Sequence, residues 1–222
     1  FLLACSVIVA HSQPLIWGNL PFGGIAVQAF FIISGFYMAL VLCEKYTGTK
    51  HYWLFISNRI LRLWPAYIII LAVDFVFRYV FFGTIPIITP PFESLNFHSK
   101  IFVIFTNVFI IGQDISAFLG PDATGAITFA TGAGKNLTYS NLVVQSWSTA
   151  SEFTFYLLAP FLVNKKTKTL LLLILGSLLI RLIIHKLDLR YQPWGARFFP
   201  AELGDFIMGI FSYRIYKFIE SK

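Results

Sequence analysis

Long apolar runs are the feature that most constrains this chain. Six runs of 16 to 23 residues are separated by more polar or basic segments, and they cover residues 1–16, 24–43, 60–82, 142–163, 169–186 and 200–219. A helix that spans a bilayer needs about 20 apolar residues. Strands of a membrane barrel would alternate apolar and polar residues over about 10 positions, and no such alternation is sustained. The sequence therefore predicts an all-α integral membrane protein with about six transmembrane helices.

The composition agrees with a membrane protein and argues against a nucleic-acid binder. Charged residues make up 12% of the 222 residues, against about 25% in soluble domains. The net charge of +7 comes from Lys and Arg in short clusters between the apolar runs, where such residues orient helices in a membrane. Cys5 and Cys43 lie inside apolar runs, so they predict no disulfide framework.

The basic clusters also predict which side each loop faces. The loop after the second run contains Lys45, Lys50, Arg59 and Arg62, and the positive-inside rule places it in the cytoplasm. A shorter apolar run at 101–111 would form a helix of about 16 Å, roughly half of the hydrocarbon core. We therefore expect 101–111 to be a half-helix or a re-entrant segment buried by protein.

A segment 101–111 that does not span the membrane determines on which side of the membrane each later loop lies. It places 113–141 outside the cell, where its Gly, Ala, Thr and Asn residues predict an ordered loop or a hairpin. The basic cluster at 164–168 and the basic C-terminus then lie in the cytoplasm with the first basic loop. Asp74 and Arg78 stand four positions apart on the third predicted helix, so we expect them to form an ion pair.

Two of the apolar runs are uncharged except for one histidine or one carboxylate. His11 lies in the first run, and Glu152 lies in the fourth. Each is about 15 Å deep when counted along a helix from its end of the membrane. Ionisable groups at such depth are costly and mark functional sites, and a carboxylate can orient a histidine that acts as a general base. The alternatives are a histidine that only packs between helices and a structural ion pair.

Arginines lie near both predicted membrane surfaces. Arg59 and Arg62 are three positions apart and share a helix face, so this pair could bind a phosphorylated cofactor from the cytoplasm. The alternative is that they only set the topology of the helix. Arg197 lies near the predicted outer surface with Arg190 and Trp194, which suits either an anionic or sugar acceptor or simple interfacial anchoring.

Four motifs in a consistent order resemble the membrane-bound acyltransferase-3 family, which O-acylates sugars of polysaccharides, lipopolysaccharide and other glycoconjugates. They are VIVAHSQP around His11, GGIAVQAFFIISGF with Ser34 near its end, the Arg-x-x-Arg-x-x-Pro of RILRLWPAY, and WSTASEFTFY with Trp147, Ser148, Glu152 and Tyr156. The last motif departs from the family pattern, because Thr149 stands where the family usually has Leu. The resemblance extends from Phe1 to about Ile210.

The resemblance implies one transmembrane acyltransferase domain over 1–222. Family members usually have about ten helices and an Arg eleven residues before the histidine, a position that would precede Phe1. We therefore expect the domain to be incomplete at its N-terminus and towards its C-terminus. The family also implies a multi-pass protein of the bacterial cytoplasmic membrane.

The resemblance also implies roles for particular residues. The donor would be acyl-CoA, with acetyl-CoA the expected form, and its phosphates would bind Arg59 and Arg62; no metal is implied. The acceptor would be a sugar hydroxyl presented from the outer face of the lipid membrane. His11 would be the general base or a transient acyl carrier, and Glu152 would orient it or act as a second acid or base. The expected substrate-binding residues are Ser34, Trp147, Ser148, Tyr156 and Arg197.

Two other functions fit the same residues. A transporter or flippase for a sugar-lipid or an anion could use the intramembrane His11 and Glu152 for proton-coupled transport. Transporter folds often contain two similar halves, and this sequence shows no such repeat. A catalytically inactive membrane anchor or regulatory subunit is the third alternative. CoA binding distinguishes the enzyme from the transporter.

Overall fold

The computed structural model describes residues 2–11, 22–46, 51–83, 92–130, 136–189 and 193–222. It is 80% helical, which confirms the predicted all-α class. The α-helices are α1 (Leu2–His11), α2 (Phe22–Glu44), α3 (Tyr52–Phe82), α4 (Phe97–Phe109), α5 (Trp147–Leu162), α6 (Thr167–Lys186), α7 (Trp194–Arg197) and α8 (Phe199–Glu220). Short 3-10 helices cover Phe92–Ser94, Ile115–Phe118, Leu137–Ser140 and Val144–Ser146. Among the described helices, α2, α3 and α6 are long and apolar enough to cross a membrane.

Most helix bounds lie close to the predicted ones, with three clear differences. Helix α4 covers Phe97–Phe109, whereas the predicted short apolar run covers 101–111. Helix α3 begins at Tyr52 rather than near residue 60, so Arg59 lies within the helix. Helix α5 begins at Trp147 rather than at residue 142, because a 3-10 turn precedes it. The predicted part of the first helix beyond His11 lies outside the described residues. The count of about six spans stays a prediction.

The chain divides into two compact units. The first unit comprises residues 1–52 and 155–222, and the second comprises residues 53–154. The boundaries between the units fall within α3 and α5. The first unit is therefore built from both ends of the sequence, whereas the second is one continuous segment.

The centre of the first unit is a close crossing of α2 and α8. A Cβ atom added to Gly35 would lie 1.9 Å from the carbonyl oxygen of Phe206, and one added to Gly209 would lie 2.0 Å from that of Ile32. Only glycine allows the two backbones to approach this closely. Small residues at helix contacts are typical of membrane proteins, where apolar side chains gain little by leaving lipid.

Helix α6 packs antiparallel to α8 in the same unit. The Ser177 hydroxyl donates to the carbonyl oxygen of Ala201 at 2.7 Å and accepts from the backbone N–H of Gly204 at 3.0 Å. The Arg181 guanidinium forms ion pairs with the buried carboxylates of Glu202, at 3.1 Å, and Asp205. These polar contacts fix the register of α6 against α8, since a charge left unpaired in such a place is costly.

The ends of several helices meet at one end of the first unit. Lys217 on α8 forms an ion pair with Glu44 on α2, with 2.8 Å between Nζ and Oε1. The guanidinium of Arg214 donates to the carbonyl oxygen of Val163 at 2.9 Å and to the hydroxyl of Thr167 at 3.1 Å. The C-terminal ends of α2, α5 and α8 therefore lie together, as expected if these basic segments share one side of a membrane.

The second unit contains an antiparallel hairpin within the region predicted as an extracytoplasmic loop. Strand β1 (Leu119–Pro121) pairs with β2 (Ile127–Phe129), with Gly120 opposite Thr128. In the turn, Asp122 accepts hydrogen bonds from the hydroxyl and the backbone N–H of Thr124, at 2.7 and 2.8 Å. These bonds lower the pKa of the Asp122 carboxyl below its usual value, and the bond from the Thr124 hydroxyl has the largest effect.

Helix α3 runs through the second unit with its apolar side chains exposed. Ile69, Val73, Val76 and Val80 are each more than half exposed, as expected for side chains that face lipid. The predicted ion pair on this helix is confirmed, since Arg78 Nε lies 2.7 Å from Asp74 Oδ2. Pro65 lies inside α3 and does not end it.

Candidate functional site

The two residues predicted to perform chemistry lie in different units, His11 in the first and Glu152 in the second. Helix α1 ends at His11 and packs against α2; the His11 side chain lies outside the described part of the structure. Glu152 lies within α5 and is half-buried. The expected pairing of His11 with Glu152 stays a prediction.

Ser34 and Tyr156 lie on two helices, α2 and α5, that share an aromatic contact in the first unit. The Phe206 ring of α8 stacks with Phe31 of α2 at 4.4 Å between centroids and with Phe155 of α5 at 4.3 Å. Ser34 follows Phe31 by three positions in α2, and Tyr156 directly follows Phe155 in α5; they are 9% and 5% exposed. The structure thus places two of the predicted substrate-binding residues on helices that meet at Phe206.

Arg197 is buried rather than displayed on the surface. It ends the short helix α7 and is 4% exposed. Its backbone N–H donates to the carbonyl oxygen of Pro193 at 2.8 Å. Burying a guanidinium is costly unless other groups satisfy it, and interfacial anchoring alone would not require this burial. The structure therefore favours an internal role for Arg197 within the first unit.

The arginine pair lies near the start of α3, in the second unit. Arg59 is half-buried and Arg62 is exposed. The Arg59 guanidinium lies 5.7 Å from the centroid of the Phe55 ring, one turn earlier, at the distance of a cation–π contact. Within the described part of the chain, the buried Nε of Arg59 has no hydrogen-bond partner. A guanidinium in this state can still donate to an anion such as phosphate.

Two aromatic residues of the same motif anchor α3 to the end of α4. Trp64 Nε1 donates to the carbonyl oxygen of Val108 at 2.9 Å, and the Tyr67 hydroxyl donates to that of Asn107 at 2.5 Å. Carbonyl groups in the last turn of a helix have no partner within the helix. The motif RILRLWPAY therefore supplies two side chains that cap the C-terminal end of α4, in addition to its two arginines.

Gln113 also caps the C-terminal end of α4. Its Nε2 donates to the carbonyl oxygen of Thr106 at 3.0 Å and to the Tyr67 hydroxyl at 2.9 Å. Its Oε1 accepts from the Ser146 hydroxyl. The Asn107 side chain also links α4 to the chain before α5, because its Oδ1 accepts from the backbone N–H of Leu142 at 2.8 Å. These residues form the α4 capping network, defined as Tyr67, Asn107, Gln113 and Ser146.

The capping network sets where α5 begins. Ser146 is followed directly by Trp147, the first residue of α5, and Ala150 packs against Tyr67 and Ile110. Ser148 is half-buried, and its hydroxyl donates to the carbonyl oxygen of Gln145 at 3.3 Å. The network therefore positions the first turn of α5. Glu152 lies in the next turn of the same helix, so the network also positions its backbone.

We expect Tyr67→Phe to destabilise the protein by about 1–3 kcal/mol, because it removes the hydroxyl that satisfies the Asn107 carbonyl in a buried place. Thermal unfolding of the purified protein in detergent measures the effect. Tyr79→Phe on the same helix is the control, since Tyr79 is 61% exposed. Equal melting temperatures for the two variants would contradict a role for the network in stability.

Sequence reasoning did not identify the capping network. Its members are uncharged and lie far apart in the sequence, so neither periodicity nor a spacing rule connects them. The available signal was the group of polar residues from Gln113 to Ser116 directly after an apolar run. A helix that ends inside protein or lipid needs such groups for its last carbonyls.

Comparison with known proteins gives one match. The family model Acyl_transf_3, described as an acyltransferase domain, matches residues 1–222. No curated protein and no solved structure matches the chain. The match covers the entire sequence, so it includes both units and all four of the motifs.

Proposed function

The chain belongs to the acyltransferase-3 family, and from this membership we propose that it is an O-acetyltransferase of the cell envelope. The family and the apolar helices make it a membrane acyltransferase. The proposed reaction moves an acetyl group from cytoplasmic acetyl-CoA to a sugar hydroxyl of an extracytoplasmic polysaccharide or glycolipid. We place the protein in the bacterial cytoplasmic membrane, where these two substrates would approach from opposite sides.

The unpartnered Nε of Arg59 is the observation that carries the proposal. In the described part of the chain this buried donor has no hydrogen-bond acceptor, and a buried donor without an acceptor is costly. Arg59 as a whole is only half-buried, so a shift of its side chain would bring the guanidinium to an oxygen of a CoA phosphate. Arg62 lies one turn later on the same face and is exposed, so it can bind a second phosphate oxygen.

The chemistry in this proposal belongs to His11. Its imidazole accepts the proton of the acceptor hydroxyl, and the hydroxyl oxygen attacks the carbonyl carbon of the thioester. A new C–O bond forms, the C–S bond breaks, and the CoA sulfur leaves as a thiolate that takes up the proton from the imidazolium. Glu152 stabilises the imidazolium, as carboxylates do beside catalytic histidines.

The remaining predicted residues would bind the acceptor and the reacting groups. Ser34 and Tyr156 can donate hydrogen bonds to the carbonyl oxygen of the thioester as negative charge develops there. Trp147 offers an aromatic face to a sugar ring, and Ser148 offers a hydroxyl. Arg197 supplies a buried positive charge for an anionic group of the acceptor.

Replacing both arginines by alanine tests the donor site. We expect Arg59→Ala with Arg62→Ala to weaken CoA binding by at least about a hundredfold, because each charged hydrogen bond contributes about 1.5–3 kcal/mol. Isothermal titration of the purified full-length protein with CoA measures the loss. Arg78→Ala is the matched control on α3, since Arg78 pairs with Asp74.

The same experiment separates the enzyme from the transporter. Wild-type protein that does not bind CoA would contradict the proposed donor and favour a transporter that uses the same residues. Equal CoA binding by the double variant and the Arg78→Ala control would contradict the assignment of the phosphates to Arg59 and Arg62.

A further inference from the structure

A cavity of about 380 Å³ lies in the first unit, at the end where α2 and α5 terminate. This is the end predicted to face the cytoplasm. Leu42 and Pro160 contribute aliphatic surface, and the aromatic side chains that line the cavity are Tyr46, His51, Tyr52 and Phe161. Its volume lies within the range of small-molecule sites, about 300–1,000 Å³.

The aromatic rings of the cavity are arranged in two pairs. Tyr46 and His51 are 6.5 Å apart between ring centroids, and Tyr52 and Phe161 are 5.7 Å apart. Tyr46 is 7% exposed, whereas Phe161 is 60% exposed. A cavity that has a buried ring and an exposed ring offers flat apolar surfaces on which a planar base can stack.

A single amide adds hydrogen-bonding capacity to this aromatic cavity. Asn164 lines it from the turn between α5 and α6. Arg214 holds this turn, because its guanidinium donates to the backbone carbonyl oxygens of Val163 and Lys165 on either side. An asparagine amide presents a donor and an acceptor together, which is the pattern that pairs with adenine at N6 and N7.

The surroundings of the cavity are positively charged. The Lys45 ammonium lies 5.9 Å from the centroid of the Tyr46 ring, and Lys165 directly follows Asn164 in the sequence. The nearby carboxylate of Glu44 is already paired with Lys217 at 2.8 Å. The excess of cations suits a ligand that combines a planar base with phosphate.

We propose that this cavity binds the adenine of the acyl-CoA donor, with its 3′-phosphate near Lys45 and Lys165. The base stacks on the aromatic rings, and Asn164 hydrogen-bonds its edge. This inference rests on the proposed use of acyl-CoA. It assigns a role to residues outside all four of the family-like motifs.

Binding of adenosine 3′,5′-bisphosphate to the purified full-length protein tests the adenine site without acyl transfer. We expect Phe161→Ala and Asn164→Ala each to weaken binding about tenfold, since stacking of one base contributes roughly 1–3 kcal/mol. Both side chains are exposed, so the variants should fold. The matched control is Phe218→Ala, because Phe218 is 61% exposed on α8. Equal affinities in all proteins, or no binding to wild type, would overturn the inference.

Acetyl transfer from two donors separates this inference from the proposed function. With acetyl-CoA we expect the cavity variants to raise KM about tenfold; with S-acetylpantetheine, which lacks the nucleotide, we expect no change. Unchanged KM values for acetyl-CoA would overturn the inference and leave the proposed function intact. Wild-type protein that binds the bisphosphate through the cavity but transfers no acetyl group would contradict the proposed function and support the adenine site.

Discussion

His11→Ala should lower acetyl transfer to cell-surface glycan by about 10²- to 10⁴-fold, the usual contribution of a positioned general base. Without the imidazole, the acceptor hydroxyl would have to attack the thioester while keeping its proton. Radiolabelled acetyl-CoA supplied to the cytoplasmic side of membrane vesicles, followed by counting of the glycan, measures the transfer. Wild type and variant are compared at matched expression of the full-length protein.

A second histidine provides the control for this experiment. His185 lies in the last turn of α6 and is exposed, so His185→Ala should label glycan as wild type does. Equal labelling by His11→Ala and wild type would remove His11 from the mechanism. Labelling that is absent from wild type itself would favour the transporter over the enzyme.

Gly35→Ala should prevent α2 and α8 from packing as they do in the wild type. The new Cβ would lie 1.9 Å from the Phe206 carbonyl oxygen, and the atom it meets belongs to the backbone, which cannot rotate away. Overpacking of a core costs about 1–3 kcal/mol and occasionally more; we expect about 3 kcal/mol or more here. Size-exclusion chromatography and thermal unfolding in detergent report the loss of folded protein.

The same helix contains a matched control for this substitution. A Cβ atom added to Gly24 would meet nothing within 4 Å, and alanine favours a helix over glycine by about 1 kcal/mol. Gly24→Ala should therefore leave the melting temperature unchanged or raise it. If the Gly35→Ala protein melted like the Gly24→Ala protein, the close crossing of α2 and α8 would be wrong.

The bounds of a helix were predictable where the sequence is apolar throughout and polar at both ends. Helices α2, α6 and α8 are long apolar stretches with polar ends, so their observed bounds lie within two residues of the predicted ones. The start of α3 was missed because the segment from Tyr52 to Arg59 mixes aromatic and polar residues. The Asp74–Arg78 pair could be predicted, since the four-residue spacing alone brings the two side chains together.

The candidate site was predictable only in part. His11 and Glu152 could be proposed from the sequence because a titratable group in an apolar run is costly, and their roles stay predictions. The α4 capping network could not, since Tyr67 and Gln113 are 46 positions apart and meet only through tertiary structure. The cavity proposed to bind adenine could not be predicted either, because Tyr46 and Asn164 come from distant parts of the chain.

The discontinuity of the first unit has a consequence for synthesis. A ribosome adds about 5–20 residues per second, so α2 is complete roughly ten to thirty seconds before Gly209 has been made. During this interval α2 has no α8 to pack against, whereas residues 53–154 can already assemble as the second unit. A newly made chain therefore matures from its middle outwards, and Ser34 reaches its final surroundings only after translation of α8.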